Sequence, residues 1–196
     1  DFPTPENLPN AVQTSLYGAS KMAGEGLISA FCNAFNFEGY CFRFVSLLGP
    51  RYPHGHVFDF VKKLINDPSR LDILGDGTAQ KSYLHIDDCI SALMLVCEDL
   101  RPAKMYQHPF EIYNLGMEEF IEVSKSAKLI VKELGLTPDF YFGEGRRGWI
   151  GDNPFVLLDI SKIKKLGWMP SHTIEESIKE TANWLIKNDW IFNERT

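Results

Sequence analysis

The 196-residue chain carries 26 acidic and 20 basic residues, which gives a formal net charge of −6, and 44% of its residues are hydrophobic. This balance indicates a folded domain with a buried core and excludes disordered and fibrous proteins. With no basic stripe and no apolar run of roughly 18 to 20 residues, the sequence predicts neither nucleic-acid binding nor a membrane span.

Hydrophobic periodicity predicts alternating helices and strands in the first half of the chain. In order, these are a helix over 14–35, a buried strand over 38–49, a helix over 57–66, strands over 71–74 and 82–86, and a third helix. Asp87 is the expected N-cap of that third helix, because aspartate accepts hydrogen bonds from the first free backbone amides.

The second half predicts smaller elements, namely a strand over 111–116, a helix over 120–134, strands over 139–142 and 155–159, and a closing helix. Thr173 and Glu176 have the spacing of a capping box at the start of the closing helix. Strands that alternate with helices predict an α/β fold, with parallel pairing in the first half and smaller mixed elements later.

Four cysteines lie in apolar segments without a CxxC pair: Cys32, Cys41, Cys89 and Cys97. Buried cysteines of this kind are typical of reduced core residues rather than of disulfides or metal ligands. The sequence therefore predicts a cytoplasmic protein.

Tyr17 and Lys21 are four residues apart in the first predicted helix, so both side chains lie on one face. A tyrosine that acts as a general base must release its proton near neutral pH, although the ordinary phenol pKa is about 10. A neighbouring ammonium favours the charged form. The pair is therefore a candidate for proton transfer, although the spacing alone is also typical of a helix surface.

His54, His56 and Asp59 are the residues closest to a metal-ligand pattern. A protein metal site needs further ligands that the sequence does not supply nearby. We expect no metal, and we interpret the segment as a loop beside a substrate.

Four segments in fixed order carry a family resemblance: YGASKMAGE, RFVSLLGPR, LDILGDGTAQKSYLHIDD and RRGWIGDNPFVLLDISKIKKLGWMP. Together they resemble the extended short-chain dehydrogenase/reductase family, in particular its nucleotide-sugar epimerases and dehydratases. The resemblance implies the C-terminal part of a Rossmann-type doubly wound sheet plus a smaller mixed α/β substrate-binding lobe. Residues 1–50 would be the remnant of the dinucleotide-binding domain, and residues 51–196 the nucleotide-sugar lobe with elements that return to the main sheet.

The resemblance also implies a role for each matching residue. Tyr17 would be the base, and Lys21 would contact the nicotinamide ribose. The remaining positions would be Phe44 and Val45 near the nicotinamide; Ser46, Lys81 and Arg147 near the phosphates; and His56, Val57, Asp72 and Leu74 around the nucleotide. Ser46 replaces a frequent asparagine and Lys81 a usual arginine, and a lysine gives a point charge instead of a bidentate fork.

By resemblance, the expected function is that of an NAD-dependent, UDP-glucose 4-epimerase-like enzyme, with Tyr17 as base and hydride transfer to and from NAD at C4. The alternatives are a 4,6-dehydratase or UDP-glucuronate decarboxylase, or a non-catalytic fragment that binds a sugar nucleotide. The family's glycine-rich turn is not in the sequence and is expected upstream of Asp1, so the chain alone is expected to be inactive. Small residues on the first helix favour a homodimer.

Overall fold

The computed structural model describes residues 2–8, 12–13, 15–99, 109–146, 148 and 155–194. The helices are α1 (Leu16–Phe35), α2 (His56–Asn66), α3 (Ile86–Met94), α4 (Val123–Glu133), α5 (Ser161–Lys164), α6 (Ile174–Lys187) and α7 (Ile191–Glu194). The strands are β1 (Gly39–Phe44), β2 (Ser46–Leu48), β3 (Arg70–Ile73), β4 (Gln80–Lys81), β5 (Tyr83–His85), β6 (Phe110–Leu115), β7 (Ile121–Glu122) and β8 (Asp139–Phe142).

Parallel pairing dominates the described strands. β1 pairs with β6, β2 with β5 and β3 with β8 in parallel, whereas β4 and β7 are antiparallel. Helix α6 packs against both α2 and α4 on the same core. The predicted α/β class is therefore confirmed, with helices crossing between parallel strands as such connections require.

The segment predicted as one strand over 38–49 forms two strands, β1 and β2. The prediction of a single continuous strand is therefore wrong. The chain changes partner at Val45, whose amide donates to the Leu115 carbonyl at 3.3 Å. Before this residue the chain pairs with β6, and after it with β5. An apolar run favours a buried strand but contains no signal for a change of neighbour.

Two further local predictions are also wrong. The N-cap of α3 is His85, whose Nδ1 accepts the Asp87 amide at 3.2 Å, so Asp87 lies in the first turn. Residues 155–159 form no strand, since Phe155 and Leu158 make only isolated bridges with Gln80 and Thr4.

The long helix α1 is well capped but little buried. Ser15 accepts the Gly18 amide at its start, and Asn36 closes it in the left-handed conformation with φ 56°. Cys32 is its one buried residue within the described chain, and apolar side chains such as Leu27 and Phe31 are exposed. The helical periodicity is confirmed, but the apolar face has little to pack against.

The described strands form four two-stranded sheets, and the core lies between these strand pairs and helices α2, α3, α4 and α6. The capping box of α6 is confirmed, with Thr173 and Glu176 exchanging backbone hydrogen bonds. Cys32 and Cys89 are buried as predicted, whereas Cys41 and Cys97 are half-buried, and none of the four forms a disulfide. Burial raises the pKa of the Cys41 and Cys89 thiols. Within the described ranges, no helix combines the length and apolar character that crossing a membrane would require.

Candidate functional site

Two adjoining cavities form a groove along the carboxyl ends of β1 and β2. The first, here the Tyr17 cavity, has a volume of about 460 Å³. The second, the Lys81 cavity, has a volume of about 320 Å³. Ser46, Tyr52 and Gly55 line both, so the two cavities are continuous and together are called the groove. Each cavity falls in the size range of small-molecule sites.

Helix α1 positions Tyr17 and Lys21 on one face, as their spacing predicts. The Lys21 ammonium lies 5.3 Å from the centroid of the Tyr17 ring. The tyrosine is 72% exposed and lines the Tyr17 cavity. The arrangement therefore places a cation against the ring of a tyrosine that lines the groove.

The junction of β1 and β2 delivers three more of the predicted residues to the Tyr17 cavity. Phe44 is half exposed at the wall, and Ser46 is exposed between the two cavities. Val45 also lines the cavity but is only 4% exposed, so its contribution is mainly backbone.

The Lys81 cavity brings together Ser46, His56, Leu74 and Lys81, four of the predicted nucleotide-sugar residues. Lys81 is half-buried on the short strand β4, and Leu74 is 65% exposed just after β3. The four residues come from four different elements or loops between positions 46 and 81. Their convergence in one cavity supports a common ligand.

His56 is held rigidly at this cavity. Tyr83 Oη lies 2.5 Å from Nδ1, and Ser126 Oγ lies 2.6 Å from Nε2. Both ring nitrogens are therefore engaged by hydroxyl groups, which leaves neither for a metal ion. This geometry favours a positioned polar wall over a metal ligand.

Among the described residues, the predicted Lys21, Val57 and Asp72 line neither cavity of the groove, and Lys21 instead lines a separate cavity that it shares with Tyr17. The Val57 side chain is fully buried in the core, so it offers no side-chain contact to a ligand. Asp72 is exposed outside both cavities and accepts Arg70 Nη2 at 2.8 Å, and hydrogen bonding to this guanidinium lowers the pKa of Asp72. Arg147 lies outside the described residues.

Sequence reasoning missed Lys63, which also lines the Lys81 cavity and donates to the Asp72 carbonyl at 2.7 Å. His56, Asp59, Phe60 and Lys63 follow the i, i+3, i+4, i+7 spacing of one helical face. That spacing, applied to the polar residues of α2, could have placed Lys63 beside His56.

Tyr52 was missed as well, because the loop between β2 and α2 has no periodicity to interpret. Its ring is buried, and burial together with the nearby Asp59 carboxylate raises the pKa of Tyr52. The phenol therefore stays protonated. It sits against Gly55, where a Cβ would lie 2.1 Å from the Tyr52 hydroxyl.

The start of α2 adds positive character to the groove. Its N-cap Gly55 provides no side-chain hydrogen bond, so the first amides of the helix are not capped by that residue. The positive end of the helix dipole favours anions, and Lys63 and Lys81 add two cations. Asp59 in the first turn offsets part of this charge.

One group of three residues in the described chain has potential ligand atoms within 4.8 Å of one another, namely His85, His172 and Glu180. The two imidazole rings stack, with centroids 3.9 Å apart and planes inclined by 22°. A ligated ion lies near the plane of each imidazole, so stacked rings cannot share one without rotating. The group lies outside the groove lining.

Comparison with known proteins connects this geometry with a family. The family described as the NAD dependent epimerase/dehydratase family matches residues 2–116. A putative UDP-glucose 4-epimerase of Methanocaldococcus jannaschii is 27% identical over 192 residues, which cover 96% of this chain and 58% of that protein.

Solved structures agree with the sequence match. A UDP-galactose 4-epimerase structure superposes with a TM-score of 0.84 at 31% identity, covering 97% of this chain and 59% of its own. A UDP-glucose 4-epimerase from Thermotoga maritima, solved with UDP-glucose, gives a TM-score of 0.79 at 28% identity, with 96% and 58% covered. The chain thus spans less than two thirds of each of these relatives.

Proposed function

Because the chain belongs to the NAD dependent epimerase/dehydratase family, we propose that it supplies the sugar-nucleotide-binding and proton-transfer part of a UDP-sugar 4-epimerase. The observation that carries the proposal is the continuous groove, with Tyr17 at one end and Lys63 and Lys81 at the other. A nucleotide sugar matches this distribution of charge. Its neutral sugar lies at one end of the molecule, and its negatively charged diphosphate lies nearer the middle.

The diphosphate binds in the Lys81 cavity. There, Lys63 and Lys81 provide cations, and the start of α2 provides backbone amides. The nucleoside extends toward Leu74, and His56 forms a fixed polar wall. Ser46 lies at the junction of the cavities, where its hydroxyl group donates a hydrogen bond to the phosphate nearer the sugar.

The sugar occupies the Tyr17 cavity. Tyr17 removes the proton from the C4 hydroxyl group and later returns it, which is general acid–base catalysis by a positioned side chain. The Lys21 ammonium stabilises the Tyr17 phenolate, which is the form that accepts this proton. The wall formed by Phe44 and Val45 limits water near the reacting carbon.

The residues at this end fit one part of a nicotinamide dinucleotide. Tyr17 and Lys21 present a hydroxyl and an ammonium on one face to a ribose, and the exposed Phe44 ring offers an apolar contact to a nicotinamide. NAD supplies the hydride acceptor and donor when it is bound. The residues of this chain hold the ribose end and move the proton.

Calorimetric titration with UDP-glucose tests the binding proposal, and a chain that binds neither UDP-glucose nor UDP would contradict it. The catalytic assignment is tested by interconversion of UDP-glucose and UDP-galactose with NAD in a protein that joins this chain to a glycine-rich dinucleotide-binding part. We expect Tyr17→Phe to reduce turnover by about 10²- to 10⁴-fold while UDP-glucose affinity stays within a few-fold. Tyr141→Phe is the matched control, since Tyr141 is an exposed tyrosine on β8 outside both cavities.

The products separate the remaining alternatives. An epimerase forms an isomer of unchanged mass, whereas a 4,6-dehydratase forms a product lighter by one water. UDP-glucose binding without turnover by that joined protein would support a binding-only role. Turnover by Tyr17→Phe at the parent rate would refute the proposed base.

A further inference from the structure

One wall of the Tyr17 cavity is a turn at Gly49, and a hydrogen bond joins this turn to helix α6, which is distant in the sequence. Gly49 is buried with φ +134°, a region that side chains rarely adopt. A Cβ at this position would lie 2.6 Å from Ile86 Cγ2 and 3.3 Å from His85 Nε2. The backbone at Gly49 is therefore confined on the α3 side by close packing.

The other constraint on Gly49 is a hydrogen bond to α6. The Gly49 amide donates to Thr181 Oγ1 at 2.8 Å, across 132 positions of sequence. Thr181 is completely buried, and its hydroxyl donates in turn to the Ser177 carbonyl at 2.6 Å. With its proton directed to Ser177, the Thr181 oxygen presents lone pairs to Gly49.

We propose that Thr181 is a positioning residue for the sugar end of the groove, acting through the Gly49 amide. A buried amide without an acceptor is costly, so the turn keeps this hydrogen bond or moves. Gly49 and its neighbours Leu48, Pro50 and Arg51 all line the Tyr17 cavity. Thr181 itself does not line either cavity, so its effect on a ligand is indirect.

The proposal rests on the proposed function in one respect, that the sugar occupies the Tyr17 cavity. It then predicts a selective effect: the turn matters for UDP-glucose but not for UDP, which lacks the sugar. A residue with a merely structural role would lower stability and affect both ligands alike.

Thr181→Val tests this, because valine keeps the shape but lacks the hydroxyl group. We expect the dissociation constant of UDP-glucose to rise about five- to tenfold and that of UDP to change less than about twofold, by calorimetry. Thr181→Ser restores the acceptor and should restore UDP-glucose affinity. Ser177→Ala is the matched control, since it removes a buried hydroxyl one turn earlier on α6 that donates to the Thr173 carbonyl at 2.8 Å.

Amide hydrogen exchange at Gly49, measured by NMR without ligand, separates this proposal from the proposed function. We expect exchange at Gly49 to accelerate about tenfold or more in Thr181→Val and to stay at the parent rate in Ser177→Ala. Unchanged exchange in Thr181→Val, or equal weakening of UDP and UDP-glucose, would overturn the positioning role. Failure of the parent to bind UDP-glucose would instead refute the proposed function, and the exchange rate would still decide whether Thr181 holds the turn.

Discussion

Replacement of Lys81 by glutamine is the most direct test of the phosphate end of the groove. Lys81 is half-buried on β4 and lines the Lys81 cavity, so its ammonium is partly shielded from solvent. Glutamine has a similar length and retains a hydrogen-bond donor but loses the charge. The substitution therefore isolates the electrostatic contribution to binding of a diphosphate.

The size of the effect follows from two estimates. Two unit charges 4 Å apart attract by about 4 kcal/mol at an effective dielectric constant of about 20. Desolvation of the ammonium reduces the net value to about 1.5–3 kcal/mol, the usual range for a charged hydrogen bond. Because Lys63 lines the same cavity and remains charged, we expect the lower end, which is about a tenfold rise in dissociation constant.

Calorimetric titration with UDP-glucose at two salt concentrations measures this change. The parent should bind more weakly at high salt, and Lys81→Gln should show a smaller salt dependence because one screened charge is gone. Lys128→Gln, which removes an exposed charge on α4 outside the groove, is the control. Equal affinities of Lys81→Gln, Lys128→Gln and the parent would refute the placement of the diphosphate.

Two stability predictions concern the loop before α6. Burial disfavours the charged form of Asp88, but hydrogen bonds from Ser171 and His172 outweigh it, so the pKa of Asp88 is lowered. Asp88→Asn should lower the free energy of unfolding by about 2 kcal/mol at pH 7, as measured by urea denaturation. The difference between variant and parent should shrink as the pH falls below about 4 and through the lowered pKa of Asp88. A difference that stays constant with pH would contradict this prediction. Thr173→Ala, which removes the capping box with Glu176, should cost about 1 kcal/mol at pH 7. The cost should be smaller at low pH, because hydrogen bonds from Thr173 lower the pKa of Glu176 and are weakened when that carboxylate is protonated.

Local signals in the sequence predicted the longer helices and the capping box of α6. The capping box at Thr173 depends on residues three positions apart, and helical periodicity needs only one turn of chain. All the residues that form such a pattern lie within a few positions of one another, so the sequence alone is enough to predict it. The spacing of Tyr17 and Lys21 belongs to the same class, and the structure places both on one face of α1.

Features that depend on distant partners could not be predicted in the same way. The apolar run through Val45 gave no sign that β1 and β2 have different neighbours, because that choice is made by β5 and β6. His85 caps α3 in place of Asp87, since the backbone leaving β5 already places its ring beside the Asp87 amide. Lys63 differs from these cases, because it lies on the same face of α2 as His56 and the helical spacing of the sequence contains that signal.

The position of the groove follows from how parallel strands end. Leu48 in β2 is opposite His85 in β5, so the loop toward α2 and the start of α3 leave the sheet at one edge. Ligands of open α/β sheets bind at such carboxyl ends. The loop then carries Tyr52 and Gly55 into both cavities, and Ile86 closes the Tyr17 cavity from the α3 side. A ligand in the groove therefore contacts loops and helix ends, while α6 holds the turn at Gly49 through the hydroxyl group of Thr181.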